Sequence, residues 1–217
     1  MPGEINGCIG CHEDRLNAVP VRGKRSQALS QKPKQLIPWM GKEPHKFSFV
    51  EEVQPILDKY CLKCHDFDRK NREKLVLAGD KNPFFNAAYV NLYVSGAVRL
   101  IGGGPASIQQ AYSWGSHVSK LSQVIENKHQ GVQLSSKEKE VLYTWMDLNG
   151  VYYPIYESSF GSHWAGRCPL TDEEVELLCQ LTGIDFNVLN SWKRKLQAQI
   201  SFDRPEESPC LDVIRHD

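Results

Sequence analysis

The chain has 217 residues, with 26 Lys+Arg against 26 Asp+Glu, 41% hydrophobic and 24% charged residues. That balance suits one domain or two small ones with a buried core and excludes a disordered chain. A formal net charge of +0 excludes a nucleic-acid binder held by bulk positive charge, and no run of about 18 apolar residues offers a transmembrane helix.

Residues 1–46 read as irregular. Pro2, Pro20, Pro33, Pro38 and Pro44 alternate with glycines, and eight basic residues outweigh four acidic ones. This stretch is too poor in apolar residues to wrap a large ligand alone. It nevertheless contains Cys8-Ile9-Gly10-Cys11-His12.

From residue 47 the character changes. Phe49, Val50, Val53, Ile56, Leu57 and Tyr60 recur at helical spacing, with Pro55 expected to kink or restart the helix. That helix runs into Cys61-Leu62-Lys63-Cys64-His65. Asn82-Pro83 carries cap and first-turn signals for a helix with Phe85, Ala88, Tyr89 and Leu92 on one face. Gly102-Gly103-Gly104-Pro105 lacks the Lys-Ser/Thr ending of a phosphate loop and reads as punctuation.

Ser116 is placed to cap a helix to about Asn127, with His117, Leu121 and Val124 on one stripe and His129 just beyond. Ser135-x-x-Glu138 is a capping box for a helix over 136–148 that stops at Asn149-Gly150. Thr171-x-x-Glu174 opens another that ends at Gly183, and a last helix is expected from Asp185 to about Gln199. No strand alternation stands out. The expectation is a mainly α, loop-rich fold with little or no sheet, divided into 1–46, 47–156 and 157–217.

The two Cys-x-x-Cys-His pentapeptides carry the chemistry. Cys and His each number seven in 217 residues, so one such pentapeptide has a chance expectation of about 0.007 in this chain. The spacing is that of c-type haem attachment: two thiols from one helical turn reach the two porphyrin vinyls, and the adjacent histidine supplies an axial nitrogen. Cys8, Cys11 and His12 would hold haem 1, and Cys61, Cys64 and His65 haem 2. Three other readings exist. A zinc site would have to join pairs that start 53 residues apart, from Cys8 to Cys61, against about 15–20 in a compact ribbon, and gives no reason for both histidines. A thioredoxin-like pair would want a βαβ setting. Two structural disulfides leave the histidines unexplained.

Further stretches sharpen the picture. Residues Phe49 to His65 resemble the cytochrome c domain common in planctomycete bacteria, and Gly115-Ser116-His117-x-Ser119-Lys120-Leu121 and His129-Gln130-Gly131-Val132-Gln133-Leu134-Ser135 agree with it. So does Leu142-x-x-Trp145-Met146-Asp147-Leu148-Asn149 with Tyr152-Tyr153. With Gly7 to Arg15 and Ser201-Phe202-Asp203-Arg204-Pro205-Glu206-x-Ser208-Pro209, the chain resembles the C-terminal dihaem part of hydrazine synthase alpha subunit-like proteins. The resemblance implies a dihaem c-type helical domain. It implies export to the periplasm or an equivalent compartment such as the anammoxosome, and redox partner proteins, with a larger oxidoreductase assembly among them. Met1 to Cys8 shows no leader pattern, so the expectation is a processed or engineered piece, or one cut from a longer exported protein.

The second axial position of each iron decides between electron transfer and small-molecule chemistry. Met40, Met146, His45, His117, His129, His163 and His216 are the candidates. His129 is the first choice, for haem 2, and His117 the next, for either haem. His45 and His163 stand behind them for haem 1, and Met146 reads as core. Trp114, Trp145, Trp164 and the tyrosines suit either haem faces or ordinary core packing. Of the other cysteines, Cys179 reads as core, and an exported setting permits a Cys168–Cys210 disulfide. The expected function is single-electron transfer between redox partners. The alternative is a redox enzyme domain with an open haem 1 site for a small nitrogen compound or peroxide.

Overall fold

The structure is a computed structural model that describes residues 31–41, 43–68, 74–101, 108–155, 157, 160–161, 167–186 and 199–211. The first pentapeptide, His163, Trp164, His216, the glycine loop and most of the expected last helix lie outside the described residues. Contacts divide the chain into two units, Met1–Pro44 and His45–Asp217. In the first, Trp39–Gly41 forms a 3-10 turn in which Met40 adopts a left-handed φ of 52°.

The second unit is helical. Among the described residues there are five α-helices and no strand, so the fold is mainly α with little or no sheet. Its only bridge there is an isolated antiparallel pair, Lys81 with Asn86. No helix is long and apolar enough to cross a membrane among the described residues.

The chain enters at Ser48, whose side chain accepts from the Glu51 N–H, into a π-helical turn, Phe49–Val53. Helix α1, Gln54–Tyr60, follows with Pro55 in its first turn. Proline there gives up an N–H that has no intrahelical acceptor anyway. The restart expected at Pro55 is therefore present, and the wider turn before it rotates Phe49 and Val53 into the core, both at 0% exposure.

Helix α2, Ala87–Val94, starts five residues after Asn82 because Asn86 is its cap and accepts from the Tyr89 N–H. Asn82-Pro83 forms a turn instead, with the Asn82 N–H donating to Phe85 O at 2.7 Å. Helix α3, Lys120–Glu126, is likewise shorter than the expected 116–127. Ser116 does not cap it: its N–H and hydroxyl both donate to the Asp147 carboxylate, at 2.7 and 3.0 Å. His117 consequently sits in the turn before the helix, exposed, and off its buried Leu121 and Ile125 stripe.

Helices α4, Ser136–Asp147, and α5, Asp172–Thr182, begin at complete capping boxes on Ser135 and Thr171. The α5 helix ends at Gly183, whose φ of 67° belongs to the left-handed cap that glycine adopts without steric cost. Asn149 and Gly150, at φ 62° and 65°, end α4. Gly150 is also crowded: an added Cβ would run into the Leu100 side chain and lie 2.8 Å from the Tyr93 hydroxyl, so both would have to shift.

The core forms where the π-turn meets α4. Phe49 packs against Trp145 and Tyr89 with ring centroids 5.1 Å apart in both cases, and stacks on Tyr152 at 5.6 Å. The polar atoms of these rings are matched: Tyr89 donates to Gly150 O at 2.6 Å, and Trp145 Nε1 donates to Val151 O at 2.9 Å. A buried amide chain crosses the same region. Asn86 Nδ2 donates to Gln54 Oε1 at 2.8 Å, and Gln54 Nε2 donates to Leu77 O at 3.1 Å. Trp145 thus belongs to the aromatic core, and Met146, at 0% exposure, to its apolar floor.

Because Phe49 touches three aromatic partners at the crossing, its truncation leaves a large cavity. Phe49→Ala should destabilise the unit by about 3–5 kcal/mol in chemical denaturation. A loss under about 1 kcal/mol would mean that the crossing is not the centre of the core.

Candidate haem-attachment site

The second pentapeptide begins where α1 ends. Cys61 is the C-cap and donates its N–H to Leu57 O at 2.8 Å. The N–H groups of Cys64 and His65 both turn back to Cys61 O, at 3.1 and 3.0 Å. The five residues therefore form one turn, with Cys61 half-buried and Cys64 exposed, neither in a disulfide. Burial first, and then the Asp58 carboxylate, push the Cys61 thiol up to about 11. A thiol kept protonated at neutral pH is a poor redox nucleophile, which is the opposite of what a thioredoxin-like pair needs.

His65 is held from behind by the returning chain. Its Nδ1 lies 3.1 Å from Leu75 O, and its own carbonyl accepts from the Leu77 N–H at 2.7 Å. A carbonyl only accepts, so Nδ1 is the donor in this contact, and in the neutral imidazole the lone pair then lies on Nε2. Nε2 has no hydrogen-bond partner among the described residues. This is the arrangement that orients an imidazole for an iron: one ring nitrogen tied to a backbone carbonyl, the other offered. Phe67, Val76, Ala78 and Ala87, which lie close by in sequence or packing, form a buried apolar cluster with Leu62 packed against it. The pentapeptide thus fits a covalently held haem in its donor set, its two unbridged thiols on one turn and its oriented histidine.

No group of three or more His, Cys, Asp or Glu side chains comes together as a metal cage among the described residues. Cys61, Cys64 and His65 thus do not close a zinc site by themselves.

The sequence-level ligand candidates fall in different settings. His129 is exposed and opens the 3-10 turn His129–Gly131. Lys128 and Gln130 flank it at φ 49° and 52°. Two left-handed non-glycine residues in one tight turn cost of order 1 kcal/mol or more each and cluster where a side chain is being aimed. His117 packs on Tyr112 at 4.9 Å between centroids and borders a polar cleft of about 580 Å³ that Glu126, Asn127 and Tyr143 also line. It is therefore not a core histidine. His45 lies 2.7 Å from Glu52 through Nε2. Cys8, Cys11 and His12 lie outside the described residues.

The expected Cys168–Cys210 bridge is not formed: Cys168 is a buried, unbridged thiol. Cys179 is half-buried rather than a full core residue, and its Sγ accepts the Phe186 N–H at 3.3 Å.

Two features of the site were not read from the sequence. One is Glu138, which does more than cap α4. It accepts from Lys59 Nζ at 2.8 Å and from the Tyr60 hydroxyl at 2.9 Å, tying α4 to the residues just before Cys61. The other is Arg204, which reaches Asp66 and Asp80 from far along the chain. Nothing local signals either contact.

The chain matches no protein-family model, no curated protein and no solved structure.

Hydrogen bonds from Lys59 and then from the Ser135 hydroxyl pull the Glu138 carboxyl down to about 2. A lowered carboxylate stabilises the fold above its unfolded value, about 4.3, and that contribution disappears as pH falls through the folded value. Wild-type protein should therefore lose stability relative to Glu138→Gln between pH 4.5 and 2, as read in denaturation curves across that window. Parallel curves for the two proteins would remove Glu138 from the account.

Proposed function

We propose that this chain is a dihaem c-type cytochrome module that passes single electrons between redox partner proteins, as part of, or related to, a larger oxidoreductase assembly of the hydrazine synthase alpha-like kind. The observation that carries the reading is the His65 imidazole, tied through Nδ1 to Leu75 O beside Cys61 and Cys64.

In this reading Cys61 and Cys64 would hold haem 2 through thioethers, and His65 and His129 would each offer it a nitrogen. Cys8, Cys11 and His12 do the same for haem 1 by motif, and His117 is the further histidine available to either. When bound, the haems supply a one-electron Fe(III)/Fe(II) couple.

The chain's own residues then do three things. Leu75 O fixes the tautomer of His65 and makes the imidazole a better donor. The buried cluster of Phe67, Val76, Ala78 and Ala87 anchors the chain that flanks His65 on its C-terminal side. The turn at 128–130, with Lys128 and Gln130 left-handed, leaves His129 exposed. Two strong nitrogen donors on one iron close its coordination, and a closed iron carries electrons but binds no substrate. Covalent attachment of this type belongs to compartments outside the cytoplasm, so the protein is placed there. No nucleic acid enters the proposal, given a formal net charge of +0.

Protein matured in a host able to attach c-type haem should contain two porphyrins per chain by pyridine haemochrome and intact mass. The reduced protein should form no carbon monoxide adduct, and His129→Ala should open one site per chain. A colourless product overturns the haem reading. A stoichiometric adduct in the wild type instead favours the redox enzyme with an open haem.

A further inference from the structure

The segment 201–208 is built to deliver one side chain. Ser201 and Ser208 are buried, and the Ser201 N–H donates to Ser208 Oγ at 2.9 Å. The Arg204 N–H donates to Ser201 Oγ at 2.7 Å, and a 3-10 turn, Pro205–Glu207, closes the loop. Phe202 N–H donates to Lys81 O at 3.0 Å and Lys81 N–H to Asp203 Oδ2 at 2.7 Å, which docks this segment beside Asp80.

Arg204 then reaches between two carboxylates. Its Nη1 and Nη2 donate to Asp66 at 3.1 and 2.7 Å, and its Nε donates to Asp80 at 2.9 Å. The guanidinium also lies over the Phe67 ring, 5.6 Å from its centroid. Asp66 and Asp80 are largely shielded, with side-chain exposures of 15% and 12%, against 34% for Arg204. Asp66 is the residue immediately after His65, and the next one, Phe67, belongs to a buried apolar cluster.

Such a shielded cluster holds one positive and two negative charges next to the proposed axial ligand. Fixed charges in a partly desolvated place act more strongly than in water. A two-pronged guanidinium–carboxylate contact also fixes geometry in a way that a lysine does not.

We propose that Arg204 is a positioning residue for haem 2. Clamped to Asp66 and Asp80, it locks the backbone that carries His65, and its charge offsets theirs to set the balance between ferric and ferrous iron. The proposal rests on the haem reading above.

Its signature is a pair of opposite shifts. Removing the positive charge in Arg204→Gln leaves two carboxylates that favour the ferric state, so the potential of one haem should fall. Removing a negative charge in Asp66→Asn should raise it. The expected size is a change of up to tenfold in the oxidised-to-reduced ratio at fixed solution potential, equivalent to about 59 mV for a one-electron couple. Arg204→Lys keeps the charge, so its potential should stay near the wild-type value even though the two-pronged contact is lost. Loss of a purely structural brace would move the Gln and Asn variants the same way.

The test is spectroelectrochemical titration of the full haem-loaded chain in all four forms, with porphyrin counted in each. Opposite shifts in one of two haems support the proposal. Shifts of the same sign, or none, in protein with two porphyrins overturn it and leave the haem reading standing. Wild-type protein with no porphyrin overturns both. Should Arg204→Gln fail to fold, Asp80→Asn, which leaves the Asp66 contact in place, must raise the potential; an unchanged or lowered value in that variant overturns the proposal.

Discussion

The hydrogen bond from His65 Nδ1 to the carbonyl of Leu75 is the constraint on which the rest of the account turns. It is a small interaction, worth about 1 kcal/mol in net stability. Its importance is directional. It decides which ring nitrogen keeps a lone pair and where that lone pair points. Everything else near the site keeps the two ends of this bond in place. Leu77 N–H returns to His65 O, Gln54 holds Leu77 O from the other side, and Arg204 grips Asp66 and Asp80 at the two mouths of the loop.

The architecture explains how so few regular elements give a defined site. A π-turn and α1 lead straight into the Cys61–His65 turn, and α4 crosses the π-turn through Phe49 and Trp145. Glu138 then fastens the start of α4 to Lys59 and Tyr60, so the crossing and the pentapeptide are coupled at both levels, by apolar packing and by charge. Among the described residues, the stretches between helices are tied by backbone and side-chain bonds rather than by sheet.

What was legible in the sequence was whatever is local. Both capping boxes, the stop at Gly183 and the restart at Pro55 are set by residues within one turn of each other, and their signals are chemical. The pentapeptide is of the same kind, since two thiols and an imidazole on one turn need only their spacing. The helix starts expected at Asn82 and Ser116 failed because a competitor was available. Asn86 offers an equally good cap four residues on, and Ser116 is claimed by Asp147, which is distant in sequence. The placement of His117 followed that error. Arg204 lay beyond reach for the same reason, since its partner Asp66 lies 138 residues away and an arginine followed by a proline carries no hint of it.

The central claim is a covalent one: four sulfurs joined to two porphyrins, with His65 aimed by Leu75. Peptide mapping of the unfolded, haem-loaded chain tests it most directly. Porphyrin mass should remain on the peptides that contain Cys8 with Cys11 and Cys61 with Cys64, while Cys168 and Cys179 alkylate as ordinary thiols. Recovery of Cys61 and Cys64 as alkylated thiols, with the porphyrin absent or washed away, would contradict the account.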